Sequence, residues 1–277
     1  MTEAVPSPSG QEATTPLAAP VLELDGVSIA YERAPVVRDL ALAVRPGEVV
    51  ALLGANGAGK TTTLRGISGL LKVTSGSIRL AGKELAGVSP AARARRGIAH
   101  VPHDRGIFFG LTVAEHFRLD GLAAPARQQA AFEHFPALAD LRGRRAGLLS
   151  GGEQQMLALA RAIAREPQVL LLDEMSLGLA PVVVERLLPI VSDLAASKGV
   201  GVLLVEQHVH LALKIAHRGY ILSHGELIAS GTASELASDS ALLQASYLGT
   251  ALAVMGEAPV QHRFRVAGRR AHGIDRA

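Results

Sequence analysis

Alternation and short apolar runs mark the first part of the chain. Val21-Leu22-Glu23-Leu24 and Val27-Ser28-Ile29-Ala30 alternate as strands do, and Leu40-Ala41-Leu42-Ala43-Val44 is a further apolar run. Pro46-Gly47-Glu48 then turns the chain into a strand at Val49-Val50-Ala51-Leu52-Leu53, and a helix-like run from Thr62 to Leu71 follows. Farther on, Ser77-Ile78-Arg79-Leu80 predicts a strand, Pro90 to Arg96 a short helix, and Gly97-Ile98-Ala99-His100-Val101-Pro102 a strand that runs into a loop. The pattern changes at Thr112. From there to Ala139, Ala, Leu, His and charged residues recur at helical spacing with breaks at Gly121 and Pro125, which predicts a small helical subdomain, about residues 112–160, inserted into an α/β core. Ser150, Gly151 and Gly152 precede a helix predicted from Met156 to Ala164. Val169-Leu170-Leu171-Leu172 reads as a central parallel strand, because four consecutive apolar residues need cover on both faces. A helix from Pro181 to Ala196, a strand Val202–Val205, a helix Val209–Ala216 and a hairpin at Tyr220-Ile221-Leu222 and Glu226-Leu227-Ile228, turning at His224-Gly225, complete the order.

Composition refines this outline at the ends. The 277 residues are 48% hydrophobic, enough for one large domain with tails. Residues 1–20, with Pro6, Pro8, Pro16 and Pro20 among small polar neighbours, cannot build a core and are expected to form a disordered leader. Residues 250–277 are expected to form a basic, flexible tail. Arg263, Arg265, Arg269, Arg270 and Arg276 oppose only Glu257 and Asp275, so the formal charge of +3 resides there and the remainder is neutral. Such a tail reads as a solvated end or as a contact for anionic lipid headgroups. A neutral domain with 3% aromatics and no Trp offers little for stacking on bases, so no nucleic-acid partner is expected. Cysteine is absent, which excludes disulfides and thiolate metal sites. No window approaches the ~18 apolar residues of a bilayer span, and the first twenty residues lack the basic and apolar regions of an export signal.

The chemistry gathers at three places. Gly54-Ala55-Asn56-Gly57-Ala58-Gly59-Lys60-Thr61 fits G-x-x-x-x-G-K-[ST] between a strand and a helix. Its glycines let successive N–H groups face an anion, the following helix adds its positive dipole end, Lys60 reaches the β- and γ-phosphates, and Thr61 offers a hydroxyl to Mg²⁺. Ser150 with Gly151 and Gly152 is a second anion site at a helix start, although taken alone it is a helix cap. Asp173 and Glu174 end a buried strand, at the edge where α/β sheets bind ligands, so Asp173 is placed to hold the metal and Glu174 to polarise an attacking water. Tyr31, at a strand end, has two readings: a ring that stacks on adenine, or an ordinary surface or core tyrosine.

Taken together, Gly54–Thr61, Leu149-Ser150-Gly151-Gly152-Glu153-Gln154-Gln155 and Val169–Glu174 resemble the nucleotide-binding subunit of ABC transporters over about Val21 to Gly249. That resemblance implies a P-loop NTPase fold of ABC type, with a RecA-like parallel-sheet core, an antiparallel β subdomain and the inserted helical subdomain, all within an ATPase domain of residues 21–249. It implies ATP and Mg²⁺ as cofactors and a second ABC ATPase as partner, each ATP lying between one P-loop and the other subunit's signature. Gly54, Asn56, Gly57, Gly59, Lys60, Thr61 and Thr62 would then surround the phosphates, and Ser150, Gly151 and Gly152 would contact the partner's nucleotide. Ser176-Leu177-Gly178-Leu179-Ala180-Pro181, Leu203-Leu204-Val205-Glu206-Gln207 and Tyr247-Leu248-Gly249 look like one of the two ATPases of branched-chain amino acid uptake systems, whose relatives serve urea and short amides. The implied setting is the cytoplasmic face of the membrane, on two transmembrane permeases fed by an external solute-binding protein. Alternatives are an ATP-binding regulatory partner with weak hydrolysis and a soluble non-transport ABC ATPase. Three positions depart from the common pattern: His103 stands where most of the family has Gln, Met175 where Pro is usual, and Gln207 at the position of the switch His. If the strand Val202–Val205 continues through Glu206, alternation lets Gln207 or His208 face the nucleotide but not both, and the resemblance selects Gln207.

Overall fold

The computed structural model describes residues 18–32, 34–122 and 125–239. The expectations for residues 1–17, for Tyr247-Leu248-Gly249 and for the tail 250–277 lie outside them. Two sheets organise the described residues. The first is antiparallel, with β1 (Leu22–Tyr31) between β2 (Ala34–Val44) and β4 (Val73–Leu80), and the short β5 (Lys83–Glu84) outside β4. Between β2 and β4 in sequence come β3 (Val49–Leu53) and α1 (Lys60–Ser68). The second sheet holds β3 beside β6 (Ile98–Val101), β7 (Val169–Asp173), β8 (Gly201–Val205), β9 (Arg218–Ser223) and β10 (Glu226–Thr232). Its order is β10-β9-β3-β8-β7-β6, parallel throughout except for the β9–β10 hairpin.

The three strands at the centre, VVALL, VLLLD and GVLLV, are buried at every position, because each face of this sheet has its own core. Side-chain period two divides them. Val49, Ala51, Leu53, Leu170, Leu172, Val202 and Leu204 pack with the helices of one face. Val50, Leu52, Val169, Leu171, Leu203 and Val205 pack with the antiparallel sheet and α1 on the other.

Three expectations are corrected. The two strands read at Val21–Leu24 and Val27–Ala30 are the halves of the single strand β1, whose pairing shifts register between Leu24 and Val27 at a bulge. Leu22, Leu24, Val27 and Ile29 are all buried; the extra residue of the bulge, where Gly26 adopts φ 62°, is what keeps both halves facing the same core. The helix expected from Met156 instead begins at Gly151: α6 (Gly151–Ile163) takes in both glycines because Ser150 and Glu153 form a reciprocal capping box. Finally, β8 stops at Val205, so alternation along a strand does not decide between Gln207 and His208. Glu206 turns inward, Gln207 is half-buried, and His208 is the exposed N-cap residue of α8 (Val209–Ile215).

The helical segment comprises α3 (Val113–Leu119), α4 (Pro125–His134), α5 (Ala137–Asp140) and α6; α2 (Pro90–Arg95) precedes it, and α7 (Pro181–Lys198) and α9 (Ala233–Ser238) follow. Thr112 and Glu115 cap α3 as Ser150 and Glu153 cap α6, and the Arg161 guanidinium clamps both carboxylate oxygens of Asp120, tying the end of α3 to α6.

Candidate nucleotide-binding site

The C-terminal ends of β3, β7 and β8 lie side by side, and the polar residues just beyond them converge. Beyond β3 the chain bends at Gly54, where φ is 149° and a Cβ would sit 2.2 Å from the Leu222 carbonyl oxygen, so no other residue fits. The loop ends at Gly59, a left-handed residue that caps α1 without a side chain, leaving the first-turn N–H groups of that helix free to face an anion. The side chain of Lys60 is 4% exposed and folds back over the loop, with Nζ donating to the carbonyls of Gly54 (2.7 Å) and Ala55 (3.0 Å) and lying 4.0 Å from Glu174 Oε1. Burial pulls its pKa down; Glu174, then Asp173 and Glu206, pull it back up.

Thr61 Oγ1 donates to Asp173 Oδ1 at 3.0 Å. Asp173 ends β7 almost fully buried, and burial pushes its carboxyl up, against the Thr61 hydrogen bond. Glu174 follows in a left-handed conformation, φ 49°, with its N–H donating to the Val205 carbonyl at 2.9 Å. Its carboxylate stands 3.9 Å from His103 Nε2, and His103 is half-exposed on the loop after β6. A hydroxyl and a buried carboxylate together are a hard oxygen pair suited to Mg²⁺, and the uncapped helix start with Lys60 suits polyphosphate. Among the described residues no group of three or more His, Cys, Asp or Glu could hold a metal ion by itself.

The structure therefore brings Lys60, Thr61, Asp173, Glu174 and His103 together, with Thr62 buried on α1 and Asn56 and Gly57 exposed on the loop. Gly57 has open space where a side chain would be. Tyr31 ends β1, 40% exposed, and Arg65, five residues along α1 from Lys60, donates to its hydroxyl at 3.4 Å. Ser150, Gly151 and Gly152 do not join this cluster. They line a separate groove of about 550 Å³ with Gly178, Leu179, Ala180 and Val183. Gln207 is half-buried beyond β8.

Sequence reasoning missed two groups here. Arg105 donates to Gln154 (2.7 Å) and Gln155 (3.2 Å), joining the His103 loop to the first turns of α6. Glu206, 1% exposed, accepts from the Ser176 N–H (2.9 Å) and the Ser176 hydroxyl (2.6 Å). The rule that selected Asp173 and Glu174, carboxylates at the end of a buried parallel strand, would also have selected Glu206.

A phosphate loop, an acidic strand end beside it and a parallel sheet that presents both define a P-loop nucleotide-binding protein. The chain belongs to the ABC transporter family: the profile of that family, "ABC transporter", matches residues 37–176. It is 41% identical over 234 residues to the high-affinity branched-chain amino acid transport ATP-binding protein BraG of Pseudomonas aeruginosa, covering 83% of this chain and 100% of that one. It is 38% identical over 230 residues to the lipopolysaccharide export system ATP-binding protein LptB of Escherichia coli, covering 79% of this chain and 93% of the relative. A solved structure of an ATP binding subunit of an ABC transporter matches with TM-score 0.70 and 30% identity, covering 82% of this chain and 95% of the other. The fold is thus the ABC ATPase fold, and the activity of the family is ATP binding and hydrolysis coupled to transport. Among the described residues, no helix is long and apolar enough to cross a membrane.

Proposed function

We propose that this chain is the ATP-hydrolysing subunit of an importer for branched-chain amino acids or related small solutes, peripheral to the cytoplasmic face of the membrane. It would dock on two transmembrane permeases that receive solute from an external binding protein. The observation that carries the ATPase reading is the cluster of Lys60, Thr61, Asp173 and Glu174, assembled from two strand ends around one loop. The solute class is supported by the 41% identity that spans the whole of BraG.

Each residue acts as its chemistry allows. Residues 21–249 form the ATPase domain. Gly54, Asn56, Gly57, Gly59 and Thr62 cradle the phosphates, Lys60 supplies the full positive charge against the β- and γ-phosphates, and Tyr31 stacks on the adenine. Thr61 and Asp173 hold Mg²⁺, which when bound offsets charge developing on the phosphoryl oxygens. Glu174 accepts a proton from the attacking water, and His103 and Gln207 border the γ-phosphate. Ser150, Gly151 and Gly152 bind the nucleotide held by a second ABC ATPase, which accounts for their separation from Lys60.

The relationship to LptB supplies the second reading, export of a lipopolysaccharide-like lipid. Uptake of labelled leucine, isoleucine, valine, urea and short amides into proteoliposomes holding the assembled transporter separates the two. ATP-dependent uptake of at least one of these, abolished by Glu174→Gln, supports import. Uptake of none of them, with turnover stimulated by lipopolysaccharide, overturns it.

A further inference from the structure

Glu206 is the most buried carboxylate beside the site, and the proposed hydrolysis gives it no role. Its side chain spends both oxygens on one residue, Ser176, thirty positions away: Oε1 accepts the Ser176 N–H at 2.9 Å and Oε2 the Ser176 hydroxyl at 2.6 Å. Two positions before Ser176 and one before Glu206, the Glu174 N–H donates to the Val205 carbonyl at 2.9 Å. Three hydrogen bonds therefore stitch the turn after β7 to the turn after β8. Between them lies Met175, 2% exposed, and on either side stand two residues of the proposed hydrolytic site, the base Glu174 and the γ-phosphate neighbour Gln207.

The stitch has a physical task. Glu174 sits at φ 49°, a conformation that a non-glycine residue keeps only when its surroundings hold it there. The strand pairing ends at Asp173 and Val205, so the ladder itself no longer constrains the next residues. A buried carboxylate that takes both donors of Ser176 supplies the missing constraint. The same turn continues to Gly178 and Leu179, and a Cβ on Gly151 would lie 3.5 Å from Leu179 Cδ2, so this turn also abuts the start of α6.

We infer that Glu206 is a positioning residue for ATP hydrolysis, setting Glu174 and Gln207 relative to each other through its paired hydrogen bonds to Ser176. This inference rests on the reading of Glu174 as general base. Its replacement lets the base drift by a fraction of an ångström to an ångström, without touching the phosphate loop. The loss therefore falls on kcat and leaves KM in place.

The test measures ATP turnover of the full-length chain in the assembled transporter, with thermal melting of each variant alongside. Glu206→Ala is expected to lower kcat by about 10- to 100-fold with KM for ATP within about twofold. Glu206→Gln keeps a carbonyl for the Ser176 N–H and an amide that donates to the Ser176 oxygen, so it is expected to stay within about threefold of the parent. That rescue needs the hydroxyl, and Ser176→Ala/Glu206→Gln is expected to lose it. Adding Gln207→Ala to Glu206→Ala is expected to cost little more, since the two act as a unit. Should Glu206→Ala fold too poorly to assay, Ser176→Ala alone is expected to lower kcat by about 3- to 10-fold. A lowered melting temperature with parental kcat in Glu206→Ala, parental kcat in Ser176→Ala, or a parallel rise in KM would each overturn the inference. Glu174→Gln is the control, expected to lose about 10²- to 10⁴-fold. Parental turnover in that variant removes the reading of the base and this inference with it, whereas an inactive Glu174→Gln beside a fully active Glu206→Ala removes this inference alone.

Discussion

Lys60 concentrates the electrostatics of the site in one side chain. Its ammonium is buried, held by two backbone carbonyls, and faces Glu174, Asp173 and Glu206. Desolvation makes such a charge costly to keep and correspondingly effective toward phosphate. Lys60→Ala is expected to abolish ATP-dependent turnover, and near-normal hydrolysis by that variant would remove the P-loop reading. Gln207 and His208 pose a finer question. Because β8 ends at Val205, their orientation follows from the loop: Gln207 is half-buried directly after the anchored Glu206, whereas His208 is exposed and begins α8. A Gln amide donates to a phosphate oxygen, and losing a donor to a charged group costs about 1.5–3 kcal/mol, roughly a 10- to 150-fold rate loss if felt wholly in the transition state. Turnover in the assembled transporter should therefore fall clearly more in Gln207→Ala than in His208→Ala; the reverse order would move the switch one residue along.

At the level of elements, the helix that starts the phosphate site is held at its far end by a buried arginine. Arg93, the only buried residue of α2, donates to the Gly66 and Ile67 carbonyls near the end of α1, at 2.9 and 2.8 Å. It also donates to the carbonyls of Leu85 (2.8 Å) and Val88 (3.0 Å). A cation there satisfies carbonyls at the negative end of the helix dipole. Arg93→Ala removes four hydrogen bonds from the fold, although the Gly66 and Leu85 carbonyls keep the backbone N–H groups of Gly69 and Val88, and is expected to destabilise the protein by about 2–5 kcal/mol, read as a lower urea midpoint. Arg93→Lys, a point charge that cannot span four acceptors, should recover only part of it. A midpoint shift below about 0.5 kcal/mol for Arg93→Ala would contradict this account.

For the molecule as a whole, His100, where β6 meets α1, contributes to the loss of stability in acid. Ser68 Oγ donates to the Leu64 carbonyl, so His100 Nδ1 carries the hydrogen that joins it to Ser68 at 2.8 Å, and Nε2 is a buried acceptor without a partner. Burial, reinforced by Arg65, pushes its pKa down to about 4. A histidine protonated less readily in the fold than in the unfolded chain stabilises fully above about pH 6.5, and that contribution is lost as pH falls from there toward 4. The loss from this one group is about 3 kcal/mol. Urea unfolding across this range should be steeper in pH for the parent than for His100→Leu by about that amount, and equal slopes would exclude His100 as the cause.

Patterns between neighbours decided much of this protein in advance. Apolar runs marked the strands of the parallel sheet, and the loop Gly54–Thr61 and the acidic strand end at Asp173-Glu174 were legible because each motif is contiguous. Their meeting was inferred from chemistry alone, since a phosphate loop calls for a metal-binding carboxylate, and the Thr61–Asp173 hydrogen bond spans 112 positions. The phase change inside β1 was visible as two alternating segments, but only pairing with β2 and β4 shows that a bulge makes them one strand. Helix α6 begins earlier than its apolar pattern does, because the Ser150–Glu153 box supplies the donors and acceptors that the glycines cannot. The Glu206–Ser176 stitch and the four-carbonyl grip of Arg93 belong wholly to the tertiary structure. A buried charge is tolerable only where several distant partners converge on it, and no local pattern records which segments the fold will place there.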